Sequence, residues 1–139
     1  MSRTRIELPS TFDFSTTIPV RITDINYGGH VGNDSILGLI HEARVLFLKY
    51  HGYTEMQFEG PGLIMRDVTI EFKAEIFYGD SLTAQVKAGN FSRAGFDVFY
   101  KLMIASKVVA VARTCMICFD YSTKKVVSLP PAARKKLER

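Results

Sequence analysis

The sequence predicts an α+β fold in which an antiparallel sheet of five or six strands curls around one long helix. One strand precedes the helix, and four strands joined by short turns follow it, as antiparallel hairpins require. The apolar residues of the helix cover nearly its whole circumference, so other structure must enclose it. With 139 residues, 47% of them hydrophobic, the chain can bury one core. We therefore expect a single domain over residues 1–139, with its core at about 14–121.

The first strand is predicted over residues 16–25, which are rich in Thr, Ile and Val, and Pro19 places part of it at an edge or bulge. It ends in a turn that contains Asp24. The long helix is predicted to begin in the cap-forming residues 32–35 and to end at Gly52. Its main apolar face comprises Ile36, Leu39, Ile40, Ala43 and Phe47, and its second apolar group comprises Leu37, Val45 and Leu48.

Beyond residue 62 the apolar period changes to two, which predicts strands with one buried and one polar face. Turns are expected at residues 78–80 and 89–95. The residues expected to face inward are Val68, Ile70, Phe72 and Ala74, then Leu82, Ala84, Val86 and Ala88, then Phe96, Val98, Tyr100, Leu102 and Ile104. The last strand, at about 108–121, is apolar on both faces, which places it inside the sheet. A short helix is expected at about 130–138, because two prolines begin it.

The composition limits which partners and which location are expected for this protein. The net charge of +4 suits a polyanionic small molecule, but the basic residues are not interleaved with aromatic ones, so we expect no nucleic-acid partner. The first dozen residues lack the apolar core of a secretory signal, and no apolar stretch is long enough to cross a bilayer. We therefore expect a cytoplasmic protein without a membrane partner.

The three histidines lack the spacing of a zinc site, and although the two cysteines form a C-x-x-C pair of the kind found in metal and redox sites, they lie in a predicted strand, so no metal and no other cofactor is expected. Cys115 and Cys118 are three residues apart in a predicted strand, and such residues point to opposite faces. Two separate, buried and reduced thiols are therefore expected.

Motifs around the start of the long helix resemble those of a known superfamily. The motif residues are Gly29, His30, Val31 and Asn33 at the helix start and His41, Glu42, Ala43 and Arg44 within the helix. Together with the order of elements, they resemble the 4-hydroxybenzoyl-CoA thioesterase branch of the hot-dog superfamily over about residues 14–121. The resemblance implies a helix wrapped by the sheet, an acyl-CoA substrate, dimers that join two sheets, and active sites at the dimer interface. Coenzyme A would enter only as part of the substrate.

Thioester hydrolysis needs hydrogen-bond donors for the oxygen that becomes anionic, and a group that activates water. The start of a helix supplies free N–H groups and the positive end of the helix dipole. We therefore predict that the backbone amides near Gly29, His30 and Val31 polarise the thioester carbonyl. Asn33 is expected at the same helix start, as a cap residue or a substrate contact.

The catalytic aspartate of the resembling family usually lies three residues before the glycine that matches Gly29, and this chain has Asn26 there. Since an amide is not a general base at neutral pH, Asn26 is expected to orient water or substrate. Asp24 is either the catalytic carboxylate or a turn former. Glu42, on the narrow polar band of the helix, is a second catalytic candidate, or it pairs with Arg44 or Lys49 or contacts a partner subunit. His30 presents either its ring or its backbone amide.

An acyl-CoA thioesterase is the leading functional hypothesis. A non-catalytic acyl-CoA-binding protein is the alternative if the asparagine in place of the aspartate abolishes hydrolysis. A hot-dog hydratase or dehydratase is a third hypothesis, although the hydratase motif is absent. The acyl group, the carrier (coenzyme A or acyl carrier protein) and the oligomer (homodimer or homotetramer) stay open at this point.

Overall fold

The fold is described from a computed structural model that covers residues 5–139. These residues form two helices and six strands, and a 3₁₀ turn over Ile22–Asp24 lies between the first strand and the first helix. The elements are β1 (Phe14–Pro19), α1 (Asn33–Tyr50), β2 (Gly62–Phe72), β3 (Ser81–Gly89), β4 (Gly95–Ile104), β5 (Lys107–Asp120), β6 (Lys125–Val126) and α2 (Pro131–Leu137).

All six strands belong to one antiparallel sheet with the order β1-β3-β4-β5-β2, and the short β6 pairs with the end of β5. This sheet and the long helix α1 confirm the predicted α+β hot-dog fold. β5 has a neighbour on each side, as its two apolar faces predicted. β1 and β2 are the two edge strands.

The core lies between the inner face of the sheet and α1. The main apolar face of the helix is at most 4% exposed, and so are the four alternating residues predicted to face inward on β3. These core residues are Ile36, Leu39, Ile40, Ala43 and Phe47 on α1 and Leu82, Ala84, Val86 and Ala88 on β3. The helical period of α1 and the two-residue period of β3 were therefore read correctly. The inward face predicted for β2 is only partly buried, and its Phe72 is exposed.

Two strand boundaries differ from the prediction. β1 stops at Pro19 and does not continue to residue 25, because the chain turns into the 3₁₀ segment, where the Asp24 carboxylate binds the Arg21 N–H. β2 begins at Gly62, six residues before the predicted alternation starts at Val68. A bulge in β2 at residue 66 shifts the two-residue period. The alternation seen from Val68 onward therefore does not extend into the first half of the strand.

The sheet does not enclose α1 completely. Leu48 is buried, but Leu37 is 41% exposed and Val45 is 43% exposed, so the expectation of an enclosed helix fails on this side of the single chain. Within residues 5–139, neither helix is long and apolar enough to cross a bilayer.

The two cysteines are free, buried and on opposite faces of β5, as predicted. Cys118 belongs to the core, whereas Cys115 lies opposite Asp67 and Asp97 on the outer face. Burial raises the pKa of the Cys118 thiol to about 11. Such a thiol is not a nucleophile at neutral pH.

Candidate active site

Asp24 stabilises the turn between β1 and α1. Its carboxylate accepts a hydrogen bond of 2.8 Å from the Arg21 N–H and lies 3.6 Å from the Arg21 guanidinium. Its carbonyl accepts a bond of 3.3 Å from the Gly32 N–H, and its side chain is only 8% exposed. Of the two roles predicted for Asp24, these contacts favour the turn former.

The side chains of Asn26 and His30 converge above Gly28. Asn26 Oδ1 accepts a bond of 2.9 Å from the Gly28 N–H, and His30 Nδ1 lies 3.1 Å from the Val31 carbonyl oxygen. Because a carbonyl only accepts, Nδ1 carries the proton of a neutral ring and Nε2 is left as an acceptor. A Cβ atom at Gly28 would lie 3.1 Å from His30 Nε2 and 3.3 Å from Asn26 Oδ1. The absence of that atom lets the two groups approach each other.

Two of the three predicted carbonyl-polarising amides are used by the fold itself. The Gly29 N–H donates to the Asn26 carbonyl at 3.1 Å, and the Val31 N–H donates to the Ile76 carbonyl at 2.7 Å. We correct these two assignments. The Gly29 N–H closes the turn and the Val31 N–H binds the segment after β2, so neither is free to bind a substrate. The His30 N–H has no acceptor among the described residues.

Further free donors lie at the start of α1. Gly32 is the N-cap, and no side chain caps the helix, so the expected capping role of Asn33 is not observed. The first backbone bond of the helix runs from the Ile36 N–H to the Gly32 carbonyl. The N–H groups of Asn33, Asp34 and Ser35 therefore remain free at the positive end of an 18-residue helix.

Of these donors, those of His30 and Asn33 border a cleft of about 200 Å³ between the start of α1 and the end of β2. Asp34 and Ser35 line a second hollow of about 390 Å³ at the same helix start, together with Asp24 and Asn26. Its lining residues are His30, Val31, Asn33, Ile36, Phe72, Ala74, Glu75 and Ile76. The cleft thus unites three residues predicted for the site with a wall after β2 that sequence reasoning missed. The two-residue alternation predicted that Phe72 and Ala74 face the core, but Phe72 is 53% exposed and Ala74 lies beyond the end of β2. No local pattern indicated that they face the helix start.

Glu42 lies away from this cleft, in a groove between β1 and α1. The groove shares no lining residue with the cleft, so the structure does not bring Glu42 together with His30 or Asn33. The suggested pairing of Glu42 with Arg44 is also wrong, because Arg44 pairs with Glu55. Asp24 lines a separate hollow beside the first turn of α1, with its carboxylate bound to Arg21. Neither predicted carboxylate therefore lines the cleft.

A family model described as the thioesterase-like superfamily matches residues 20–137, which include the turn, the helix and the whole sheet except β1. The chain belongs to the thioesterase-like superfamily. A 1,4-dihydroxy-2-naphthoyl-CoA hydrolase from Nostoc punctiforme is 28% identical over 123 residues, which are 86% of this chain and 82% of that protein.

Solved structures agree with this membership at the level of the fold. A hypothetical protein from Aquifex aeolicus has a TM-score of 0.81 at 24% identity, over 89% of this chain and 98% of that one. A 1,4-dihydroxy-2-naphthoyl-CoA thioesterase from Synechocystis has a TM-score of 0.79 at 22% identity, over 89% of this chain and 94% of that one. The enzyme class is therefore a thioesterase.

Proposed function

We propose that this thioesterase hydrolyses coenzyme A esters of compact aromatic acids, in the cleft between the start of α1 and the end of β2. The observation that carries the proposal is the uncapped helix start, where the free N–H groups of His30 and Asn33 border an apolar cleft. The cleft walls include Val31, Phe72 and Ile76, which suit a flat ring. The relatives named above act on a bicyclic aromatic acyl-CoA, and the net charge of +4 suits the phosphates of coenzyme A.

The free N–H groups of the first helical turn and of His30 would stabilise the oxygen that becomes anionic when water attacks the carbonyl carbon. The Asn26 amide and His30 Nε2 lie at the same helix start and would orient the attacking water. The proposed chemistry requires no metal or separate cofactor. Location in the cytoplasm stays a prediction.

We also propose a homodimer in which the β2 strands of two copies pair edge to edge. β2 has 11 residues and is paired on one side only, whereas the other edge strand, β1, has six residues and ends in Pro19. Met65 of β2 and Leu37 and Val45 of α1 are apolar and each more than 40% exposed. The cleft of about 200 Å³ is smaller than an ordinary ligand site of roughly 300 Å³ or more, as expected of a site that a second copy completes.

Sedimentation equilibrium tests the assembly, and twice the chain mass of 15.6 kDa is expected. A mass four times that of the chain would indicate the homotetramer, in which the paired β2 edges are retained. A monomer at all concentrations would refute the shared site.

Release of coenzyme A from a panel of thioesters, followed with a thiol-trapping dye, tests the activity. Aromatic esters such as benzoyl-CoA and 1,4-dihydroxy-2-naphthoyl-CoA should turn over faster than palmitoyl-CoA. Asn26→Ala and His30→Gln should each lower kcat by about tenfold, the equivalent of one lost hydrogen bond. His51→Gln is the matched control, because His51 binds Asp13 at the opposite end of α1.

No thiol release from any ester would refute hydrolysis. Undiminished turnover in both cleft variants would refute the site, and a preference for palmitoyl-CoA would refute the aromatic substrate class.

A further inference from the structure

A chain of polar side chains runs from the exposed face of α1 into the core. His41 Nε2 lies 2.6 Å from Glu55 Oε1, and Arg44 Nε donates to Glu55 Oε2 at 3.1 Å. Arg44 Nη1 donates to the Tyr100 hydroxyl at 3.2 Å, and that hydroxyl lies 2.8 Å from Thr114 Oγ1. Every buried side-chain nitrogen and oxygen in residues 5–139 has a hydrogen-bond partner. These side chains therefore form a network in which every buried polar atom is hydrogen-bonded. This is the condition under which a buried charge is tolerated.

The network holds Glu55 in one position and orients His41. Arg44 is 7% exposed and binds one oxygen of Glu55, so the carboxylate is already attached to the helix without His41. Because a carboxylate only accepts, Nε2 of the neutral His41 ring carries the proton and Nδ1 keeps its lone pair. The His41 side chain is 57% exposed. A histidine whose basic nitrogen is free and whose other nitrogen is held by a carboxylate is the usual arrangement of a general base.

His41 cannot serve the cleft of its own chain. It follows Asn33 by eight residues, which is about 12 Å along a helix. The Leu63 N–H donates to the Glu55 carbonyl at 2.7 Å, so the His41–Glu55 pair lies beside the start of β2. Phe72, at the end of β2, lines the cleft. β2 therefore leads from the pair to the cleft.

Antiparallel pairing of two β2 strands reverses this order across the interface. The start of one strand then lies beside the end of the other, as two-fold symmetry requires. The His41–Glu55 pair of each chain is thereby brought to the cleft of its partner. Both sites of the dimer are completed in the same way.

We propose that His41, oriented by Glu55, is the general base for thioester hydrolysis in the cleft of the partner subunit, an inference that rests on the proposed function and dimer. It supplies the base that Asn26 cannot. His41 Nδ1 takes a proton from water while the water oxygen bonds to the thioester carbon. The carbon–sulfur bond then breaks, and the proton passes from Nδ1 to the sulfur. The products are the free acid and the thiol of coenzyme A.

His41→Gln should lower kcat by about 10²–10⁴-fold, the usual contribution of a general base, with little change in KM. Glu55→Gln, which alters a positioning residue, should also lower kcat and leave KM near its wild-type value. His51→Gln removes another carboxylate-bound histidine from the same helix and should retain the wild-type kcat. Circular dichroism and the unfolding temperature check that His41→Gln is folded, as the exposure of this side chain predicts.

Wild-type protein that releases no coenzyme A would refute the proposed function itself. Wild-type turnover combined with an unchanged kcat in His41→Gln would refute only the role of His41.

Mixed dimers test whether the base crosses the interface. His41→Gln and the double variant Asn26→Ala/His30→Gln are expressed together with two different tags, and the dimer that carries both tags is isolated. One of its two sites would have both defects and the other none, so about half the wild-type kcat per dimer is expected. If His41 served its own chain, each site would have one defect, and the mixed dimer would be as slow as the two parent variants. That result would overturn the proposal.

Discussion

The two ends of α1 differ in how their backbone groups are satisfied. At the C-terminal end, the His51 N–H binds the carbonyls of Phe47 and Leu48 at 3.3 and 3.0 Å, and the chain then reverses at Gly52, which has φ +87°. The Phe14 ring packs edge-on against Phe47, with centroids 5.9 Å apart. This end is closed by hydrogen bonds and by aromatic packing.

At the N-terminal end, Gly32 offers no side chain to the first turn, and the free N–H groups face a cleft. One helix thus has one end that stabilises the fold and one end that is left available for a ligand. The unsatisfied N–H groups of α1 thus lie where the chemistry is proposed, and the hydrogen bonds and packing at the other end of the same helix offset their cost.

The largest effect is expected at the closed end. Phe47 is 0% exposed, so Phe47→Ala should lower the free energy of unfolding by about 3–5 kcal/mol through lost burial and a cavity. Leu37→Ala, on the exposed stripe of the same helix, should cost about 1 kcal/mol or less in the monomer. Urea denaturation measures both. Equal losses would show that the two regions of the helix are not energetically distinct.

An intermediate effect is expected from the glycine that ends α1. Gly52→Ala should destabilise the fold by about 1–2 kcal/mol, because its left-handed conformation strains a residue with a Cβ atom. Gly38→Ala is the matched control, since a Cβ atom there meets nothing within 4 Å, and it should stabilise by roughly 0.5–1 kcal/mol. Thermal unfolding compares the pair, and a change of the same sign in both would contradict the assignment of a helix end at Gly52.

The smallest effect on stability is expected at the open end. Gly32→Ser introduces a capping hydroxyl, which should stabilise the helix by only about a few tenths of a kcal/mol. Its Cβ atom would lie 2.8 Å from Asp34 Oδ1, a mobile carboxylate that can shift. Thioester turnover should nevertheless fall, because the hydroxyl competes for the free N–H groups. A more stable variant with full turnover would show that these donors do not act on the substrate.

Local patterns determined the secondary structure well. The helical period of α1 and the alternation of β3 identified their buried residues, because side-chain direction repeats with a fixed period within one element. The motif from Gly29 to Asn33 indicated the helix start that borders the cleft. The bulge in β2 was missed, since one extra residue shifts the period without any mark in composition.

The partners of the polar groups were decided by the tertiary structure. The Val31 N–H binds Ile76, and Arg44 binds Glu55 and Tyr100, across sequence separations that no local pattern reports. Glu42 lies one residue from His41, yet the helix turns it toward a different groove. The sequence alone determined which elements form and which faces they bury, because those depend on neighbouring residues. Only the tertiary structure determined which site residues lie next to one another. Each buried polar group needs a hydrogen-bond partner, and that partner is often distant in the sequence.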